Sequence, residues 1–298
     1  MKFDIVCFGS AVVDAFVNTE IPEKKKHFSY LVGSKILIKE SRFDIGGGGT
    51  NTAVAFSRLG LKTGFIGKIG IDNNGKDIQA LLKKEKVDFL GKIAEEKSGY
   101  SIILDSKDKD RTILTYKGPN NTISINELPK IQTKWLYLSS LMGKSFETQK
   151  HLAQILSRKG TKIAFNPSDY LIKNKNIHPL LKLCEVLILN REEAGMLTKN
   201  SNLLKGLHEL GPKIVVITDK DRKIECSDGK GEYSILPHKS VKVVERTGAG
   251  DAFASGFVAG RIVGWPMQKC LELGLKESES VLGHFGAKNN LLRTNLKK

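Results

Sequence analysis

The chain has 298 residues, of which 40% are hydrophobic and 27% are charged. This balance is typical of a globular protein with a substantial core, and it excludes a disordered or fibrous chain. The formal net charge of +16 suits an anionic ligand. The lysines are scattered, however, and no long basic tract is interleaved with aromatic residues, so we expect a phosphate-handling site and no nucleic-acid partner.

The cysteines and the lack of a long apolar run indicate the compartment. Cys7, Cys184, Cys226 and Cys270 lie far apart and form no CxxC pair, which favours neither a zinc site nor a disulfide framework. No uncharged stretch approaches the roughly 20 residues of a membrane span, and the N-terminal stretch has no cleavage signal. We therefore expect a soluble, cytoplasmic protein without membrane contacts.

Short β-rich runs alternate with helical segments along the chain. The predicted strands are Phe3–Phe8, Thr63–Ile66, Trp135–Leu138, Lys162–Phe165, Val186–Leu189 and Ile214–Thr218. Helical spacing predicts helices over Thr52–Leu59, Lys76–Lys86, Ser145–Arg158 and Ile177–Leu183. Strands that are apolar throughout and are separated by helices indicate a parallel sheet buried on both faces. The predicted fold class is therefore α/β, with a doubly wound sheet.

Two regions depart from this alternation, at residues 15–43 and 98–117. They have the polar alternation of exposed strands, for example over Tyr100–Leu104 and Arg111–Tyr116, and a charged turn at 106–110 separates the latter two. The pattern predicts either a small flap of antiparallel strands or an ordinary hairpin at the edge of the main sheet.

The C-terminal part is predicted to be helical. Small and apolar residues on several faces predict a buried helix over Ala249–Val263, and Met267–Phe285 follows as a helix with one polar face. No internal repeat, low-complexity tract or proline-rich linker divides the chain. Residues 1–298 are therefore predicted to form a single domain.

The first chemical signal is the run Glu245–Phe253. Gly248, Ala249 and Gly250 lie at the start of the predicted helix, where free N–H groups and the positive end of the helix dipole attract phosphate oxygens. Asp251 lies at the same edge, where a carboxylate is placed to accept the proton of an attacking hydroxyl. The alternative is a plain N-cap after a glycine-rich turn.

A second signal is the run Asp44–Gly60, in which four consecutive glycines precede Thr50, Asn51 and a predicted helix. Bare backbone at Gly47 and Gly48 lets a ligand lie close, and the Asn51 carboxamide offers a donor and an acceptor to a pair of hydroxyls. The run is not a Walker A loop, and its spacing does not fit the dinucleotide fingerprint. A flexible hinge turn is the alternative.

Two further strand ends carry polar side chains. Asp14 follows the first predicted strand, where an acidic residue points into the crevice of a parallel sheet; an exposed turn residue is the alternative. Asn190 and Glu193 follow the strand Val186–Leu189, where a carboxylate could hold Mg²⁺ through water. The same pair fits a helix N-cap with an acidic third residue, and both interpretations can hold together.

In this order and spacing, the four motifs resemble the ribokinase-like (PfkB-type) carbohydrate kinase family, over essentially the whole chain. The run before Asn51 and the run that ends at Asp251 look like the family's two signatures. The resemblance implies a doubly wound, mostly parallel α/β sheet flanked by helices, with a small β-strand lid formed by the two departing regions. It also implies transfer of a phosphoryl group from ATP, with Mg²⁺, to a hydroxyl of a sugar or nucleoside.

The resemblance further implies roles for individual residues. Asp251 matches the family's catalytic base, and Gly248, Ala249 and Gly250 match its anion hole. The ligand-holding positions that it implies are Asp14, Gly47 and Asn51 for the acceptor, and Asn190, Glu193 and Thr218 for the nucleotide, with Glu193 holding Mg²⁺ through water. Further candidates beside them are Gly48 for the acceptor and Lys220 and Thr247 for the nucleotide. Many members use potassium near the site, and lid strands of this type can pair subunits. K⁺ and a homodimer through the lid are therefore compatible with it.

Some positions depart from the family's pattern. Val12 and Gly48 stand where ribokinase itself has Asn and Lys, which disfavours ribose and leaves the base of the acceptor site apolar and uncharged. The charged run Asp219–Lys223 replaces a glycine-rich turn under the nucleotide, and Lys220 there could contact phosphates instead. A catalytically impaired, ligand-binding regulatory protein of the same fold is the alternative that this altered turn leaves open.

Overall fold

The computed structural model describes residues 2–19, 27, 29–105, 111–173 and 176–297. The charged turn predicted at 106–110 lies outside these residues. Over the described part of the chain, no helix has the length and apolar character needed to cross a bilayer.

The elements are numbered in chain order. The strands are β1 (Lys2–Phe8), β2 (Val12–Thr19), β3 (Ile38–Gly46), β4 (Thr63–Ile66), β5 (Lys68–Gly70), β6 (Asp88–Phe89), β7 (Lys92–Ala94), β8 (Gly99–Asp105), β9 (Arg111–Tyr116), β10 (Gln132–Ser139), β11 (Lys162–Asn166), β12 (Cys184–Asn190), β13 (Ile214–Thr218), β14 (Ile224–Ser227) and β15 (Glu232–Ile235). The helices are α1 (Gly48–Arg58), α2 (Asn73–Lys84), α3 (Gly143–Ser157), α4 (Asp169–Lys173), α5 (His178–Leu181), α6 (Arg191–Leu197), α7 (Leu203–His208), α8 (Ala249–Ile262) and α9 (Met267–Leu282), with 3₁₀ turns at Gly118–Asn121 and Ile125–Glu127.

The main sheet has the order β15-β14-β13-β12-β11-β10-β1-β4-β6. Its strands run parallel from β13 to β6, and β14 and β15 add an antiparallel hairpin at one edge. The predicted doubly wound, mostly parallel sheet is thus confirmed. The edge hairpin was not predicted, because its two strands are short and β15 alternates exposed with half-buried residues rather than forming an apolar run.

Helices cover both faces of this sheet. On one face, Phe56 of α1 and Phe253 and Phe257 of α8 join a cluster of buried side chains. On the other face, a second cluster includes Leu152 of α3 and Leu207 of α7. Burial on both faces explains why the central strands are apolar throughout their length.

A second, four-stranded sheet has the order β3-β2-β8-β9. Strands β2 and β8 are parallel, whereas the other two pairs are antiparallel. The hairpin of β8 and β9 therefore belongs to a separate sheet, and the alternative of a hairpin at the edge of the main sheet is wrong. That this sheet closes as a lid, that it pairs subunits, and that residues 1–298 act as one domain stay predictions.

The carboxyl ends of the parallel strands meet along one edge of the main sheet. Phe8 is paired with Leu138 there, and Asn190 with Thr218. The N-terminus of α1 is held beside the end of β1, since the amide of Gly49 donates to the carbonyl of Ser10 at 3.0 Å. Ligands of such sheets bind at this edge, so the predicted site residues are expected to lie there.

Candidate active site

Two cavities open at this edge of the sheet. Cavity A, of about 760 Å³, is lined by residues of both glycine-rich runs, namely Gly47, Gly48, Asn51, Thr247, Gly248, Gly250 and Asp251. Cavity B, of about 780 Å³, is lined on one side by the turn after β13 and on the other by the start of α8. Asn190, Thr218 and Gly250 line both cavities, so that the two adjoin.

Asn51 and Asp251 are joined by a direct hydrogen bond. Asn51 Nδ2 donates to Asp251 Oδ2 at 2.8 Å, although the residues are 200 positions apart in sequence. The other carboxylate oxygen faces the glycine-rich run Asp44–Gly60, because a Cβ built on Gly48 would lie 3.4 Å from Asp251 Oδ1. The structure thus brings the two runs to the same cavity.

Two opposing effects set the protonation of Asp251. Burial raises the pKa of its carboxyl above the usual value, because the charged form loses its hydration. The hydrogen bond from Asn51 and the positive charge of Lys288 oppose this rise, because both lower the pKa. Burial is the largest of these effects, so the pKa stays raised, as is useful for a group that takes up a proton in a reaction.

The N-terminus of α8 presents bare backbone to the cavities. Gly248 has φ 81°, in the left-handed region that favours glycine, and it ends the turn before the helix. Gly250 lies in the first helical turn, and a Cβ built there would meet no atom within 4 Å apart from its chain neighbours and the backbone of its own helix. The first N–H groups of a helix lack intrahelical acceptors. The backbone N–H groups of the first residues of α8, from Ala249 onward, can therefore bind an anion.

Asp14 lies in β2 of the small sheet, not in a turn directly after β1 as the sequence suggested. Its side chain lines cavity A, and the residue is 7% exposed, so the alternative of a solvent-exposed turn residue is wrong. Burial raises the pKa of its carboxyl, while a hydrogen bond with Ser101 and the charges of Lys288 and Lys117 oppose this rise.

Asn190 and Glu193 form the predicted capping arrangement at the start of α6. Asn190 Oδ1 accepts from the Glu193 amide at 2.9 Å, and Glu193 Oε2 accepts from the Asn190 amide at 2.8 Å. The Glu193 side chain also lines cavity A. Burial, followed by the negative charges of Asp169 and Glu192, raises the pKa of Glu193 to about 7.

The predicted nucleotide residues are divided between the two adjoining cavities. Thr218 ends β13 and lines both cavities, Lys220 lines cavity B, and Thr247 lines cavity A. In the charged turn, Asp219 Oδ2 accepts from Arg191 Nε at 2.9 Å. Part of the turn's charge is therefore neutralised within the protein, whereas Lys220, with φ 46°, lines the cavity.

Two lysines of the site were missed from the sequence. Lys288 Nζ donates to Asn51 Oδ1 at 2.9 Å, and Lys117 lines cavity A with its Nζ 5.6 Å from the Tyr170 ring centroid. Burial lowers the pKa of the Lys117 ammonium, and the charge of Asp14 opposes this. From Val12 and Gly48 we expected the base of the acceptor site to be apolar and uncharged, and that expectation did not include the ammonium of Lys117 in the same cavity. Neither lysine lies in a recognisable motif, so only the fold reveals them.

Comparison with known proteins gives a consistent family. The chain matches the model of the pfkB family carbohydrate kinase over residues 2–295. It is 30% identical over 303 residues to 5-dehydro-2-deoxygluconokinase of Clostridium perfringens, covering 92% of this chain and 85% of that protein. It is 29% identical over 251 residues to cytidine kinase of Thermococcus kodakarensis, covering 81% and 88%.

A solved structure gives the same architecture. The structure of Arabidopsis thaliana ribokinase complexed with ribose and ATP has a TM-score of 0.81 and 21% sequence identity to this chain, and the match covers 100% of this chain and 97% of that one. This likeness confirms the expected ribokinase-like fold.

Proposed function

This chain belongs to the pfkB family of carbohydrate kinases and is a sugar or nucleoside kinase, and we propose that it transfers the γ-phosphoryl group of ATP to an acceptor hydroxyl in cavity A with Asp251 as the base. One observation carries this proposal. The hydrogen bond between Asn51 and Asp251 brings the two glycine-rich runs to one cavity, where acceptor hydroxyl, carboxylate and helix N-terminus can meet.

The residues of cavity A supply three parts of the reaction. Gly47, Gly48 and Asp14 would hold the acceptor, so that its reacting hydroxyl lies beside Asp251 Oδ1. That oxygen takes the hydroxyl proton as the new O–P bond forms and the bond to the leaving ADP oxygen breaks. The N–H groups at the start of α8 stabilise the negative charge of the transferring group.

The donor nucleotide fits cavity B. Its lining includes Lys220 and Arg246, whose cationic side chains suit phosphates, and Thr218 marks its junction with cavity A. The Arabidopsis ribokinase of the same fold was solved with ATP, which supports ATP as the donor. Stimulation of the phosphoryl transfer by K⁺ stays a prediction.

Magnesium fits the residues at the junction of the cavities. In the described part of the chain no three metal-ligating side chains cluster. Mg²⁺ needs no such cluster, because it keeps several waters and is held by one or two carboxylates together with substrate phosphates. The Glu193 carboxyl has two acidic neighbours that raise its pKa, and a cation would relieve that repulsion. Bound there through water, Mg²⁺ would neutralise charge on the phosphates.

Glu193 gives a prediction on pH and magnesium. Its pKa of about 7 means that the carboxyl becomes protonated as the pH falls through 7, so a proton competes with the cation. We expect the Mg²⁺ concentration for half-maximal activity to rise as the pH falls from 8 to 6. Glu193→Gln, which preserves the capping arrangement, should raise this concentration about tenfold at pH 8 and weaken its pH dependence. Protonation of ATP affects both proteins alike, so an unchanged pH dependence in the variant would remove the magnesium role.

The function is tested by a panel of acceptors with purified protein, ATP and Mg²⁺. ADP release is followed for neutral nucleosides, hexoses and sugar acids, and the phosphorylated product is identified by mass. A stimulated rate with at least one acceptor is expected. If no acceptor stimulates ADP release while ligands still raise the melting temperature, the regulatory alternative applies; the kinase names of the relatives give that alternative no support.

Lys117 allows a prediction on the class of acceptor. Within the described residues its half-buried ammonium has no hydrogen-bond or ion-pair partner, and it lines the cavity that also contains Asp14. We expect Lys117→Met to raise KM about tenfold or more for acceptors with a carboxylate, since hydrogen bonds to charged groups are the stronger ones. Neutral nucleosides should change far less. Equal effects on both acceptor classes would contradict this role, and the exposed Lys97→Met serves as the matched control.

A further inference from the structure

Lys288 is a buried cation that none of the steps above uses. It lies in the segment after α9, is 3% exposed, and donates from Nζ to Asn51 Oδ1 at 2.9 Å. Its backbone is fixed, because Arg58 Nη1 donates to the Lys288 carbonyl at 2.6 Å. The preceding residue packs against the anion-binding turn, since a Cβ built on Gly248 would lie 2.4 Å from the Ala287 Cβ.

The two contacts of Asn51 fix the orientation of its carboxamide. An ammonium can only donate, so the Asn51 atom that faces Lys288 must be the oxygen. An ionised carboxylate can only accept, so the atom that faces Asp251 must be the nitrogen. The order Lys288 Nζ, Asn51 Oδ1, Asn51 Nδ2, Asp251 Oδ2 therefore has one chemically consistent direction.

We propose that Lys288 is a positioning residue for phosphoryl transfer: it holds the Asn51 carboxamide so that Nδ2 engages Asp251 Oδ2 and leaves Asp251 Oδ1 to take the acceptor's proton. This inference depends on the proposed function, because it assigns the geometry of the base in that reaction. Without the ammonium, the carboxamide can turn over, and its oxygen would then face the carboxylate and repel it.

Other charged groups surround Lys288 and define what its positive charge does. Asp14, Asp44 and Asp251 face it from β2, β3 and α8, and Arg58 faces it from α1. Burial lowers the pKa of the ammonium, while the three carboxylates raise it and Arg58 lowers it. Burying an ammonium without such partners would be costly. The positive charge of Lys288 in turn lowers the pKa of Asp251 and so helps to keep it ionised.

A double-mutant cycle tests whether Lys288 acts through Asn51. Lys288→Met is expected to lower kcat about 100-fold with little change in KM for ATP, because a small misplacement of a reacting group has effects of this size. The cycle compares kcat on the pH plateau above the acid limb, where Asp251 is ionised in every variant and the direct effect of the Lys288 charge on its pKa does not contribute. In the Asn51→Ala background, adding Lys288→Met should change this plateau kcat by less than about twofold, since the carboxamide is no longer present. Multiplicative losses in the double variant would show that Lys288 acts independently of Asn51 and would overturn the proposal.

The pH profile provides a readout that a purely structural role would not change. The base must be ionised, so kcat falls on the acid side as Asp251 becomes protonated. The Lys288 charge lowers the pKa of Asp251, so its removal should move the acid limb of kcat to higher pH in Lys288→Met. Lys288→Gln, which keeps an N–H donor but no charge, should move the limb in the same way and replaces Lys288→Met if that variant does not fold.

A matched lysine separates positioning from stability. The Lys150 side chain is 13% exposed and pairs with Glu147 at 2.8 Å on α3, and it lines neither cavity. Lys150→Met should lower the melting temperature without moving the acid limb. Active wild-type protein whose acid limb stays unchanged in both Lys288 variants would overturn the proposal. Inactive wild-type protein over the whole acceptor panel would instead overturn the proposed function.

Discussion

Asp251→Asn is expected to keep ligand binding and to lower the rate of phosphoryl transfer by about 10²- to 10⁴-fold, the usual contribution of a general base. The amide has nearly the shape of the carboxylate, and its oxygen can still accept from Asn51 Nδ2 as Asp251 Oδ2 does at 2.8 Å. The cavity should therefore remain intact while the group that takes the proton is lost.

The two effects are measured separately. Acceptor and nucleotide affinities are determined by calorimetry, and transfer is measured in a single turnover with excess enzyme. Asp88→Asn, an exposed position in β6, is the control for an Asp-to-Asn change and should behave as the wild type. Near-normal turnover of the Asp251 variant would remove the assignment of the base.

The pH dependence of the wild type follows from the same residue. Burial raises the pKa of Asp251 above its usual value, and the ionised form is the active one. The rate should therefore rise with pH through a pKa that lies above that of an exposed Asp. In Asp251→Asn the residual rate should lose this limb, because the titrating group is absent.

The main sheet could be predicted from the sequence because its central strands are buried on both faces. Such strands must be apolar throughout, and this requirement produced the runs at Thr63–Ile66 and Ile214–Thr218, which agree with β4 and β13 residue for residue. The start of α1 could not be predicted in the same way. Glycine disfavours helix, so the helix was expected only from Thr52, yet it begins at Gly48.

Tertiary contacts explain that earlier start of α1. The Ser10 carbonyl accepts from the amide of Gly49 at 3.0 Å, and the Thr50 and Thr52 hydroxyls donate to backbone carbonyls four residues before them. These bonds stabilise a helical turn whose residues have little preference for it. As a result, Asn51 faces the start of α8 from the first turn of a helix rather than from a flexible loop.

The polar part of the site was predictable only where it coincided with a local motif. Gly248, Gly250 and Asp251 lie next to one another in sequence, so their chemistry could be inferred together. Lys288 contacts Asn51 across 237 positions, and nothing in its immediate sequence distinguishes it from the chain's many other lysines. Asp14 was recognised as a candidate site residue because it is acidic and follows the first strand. Its position in the small sheet could not be predicted, because β2 begins at Val12 whereas the exposed strands were expected only from residue 15.

Gly250→Ala is expected to lower phosphoryl transfer about 100-fold or more without loss of stability. A Cβ at this position meets no atom within 4 Å apart from its chain neighbours and the backbone of its own helix, and alanine is favoured over glycine in a helix by about 0.5–1 kcal/mol. The variant should therefore unfold at the same or a slightly higher temperature. The new methyl group, however, points into the space where cavities A and B meet, which the transferring group must occupy.

The neighbouring glycine supplies the contrast that makes this prediction sharp. Gly248 has φ 81°, and a Cβ there would lie 2.4 Å from the Ala287 Cβ, so Gly248→Ala should lower the free energy of unfolding by more than about 1 kcal/mol. Thermal unfolding and single-turnover kinetics on both variants should thus show one that is stable and slow and one that is unstable. If Gly250→Ala keeps the wild-type kcat and KM, the transferring phosphoryl group does not bind at the N-terminus of α8. The anion hole would then have to lie elsewhere, because an added methyl group cannot be accommodated against a bound phosphate that the backbone N–H groups hold at hydrogen-bond distance.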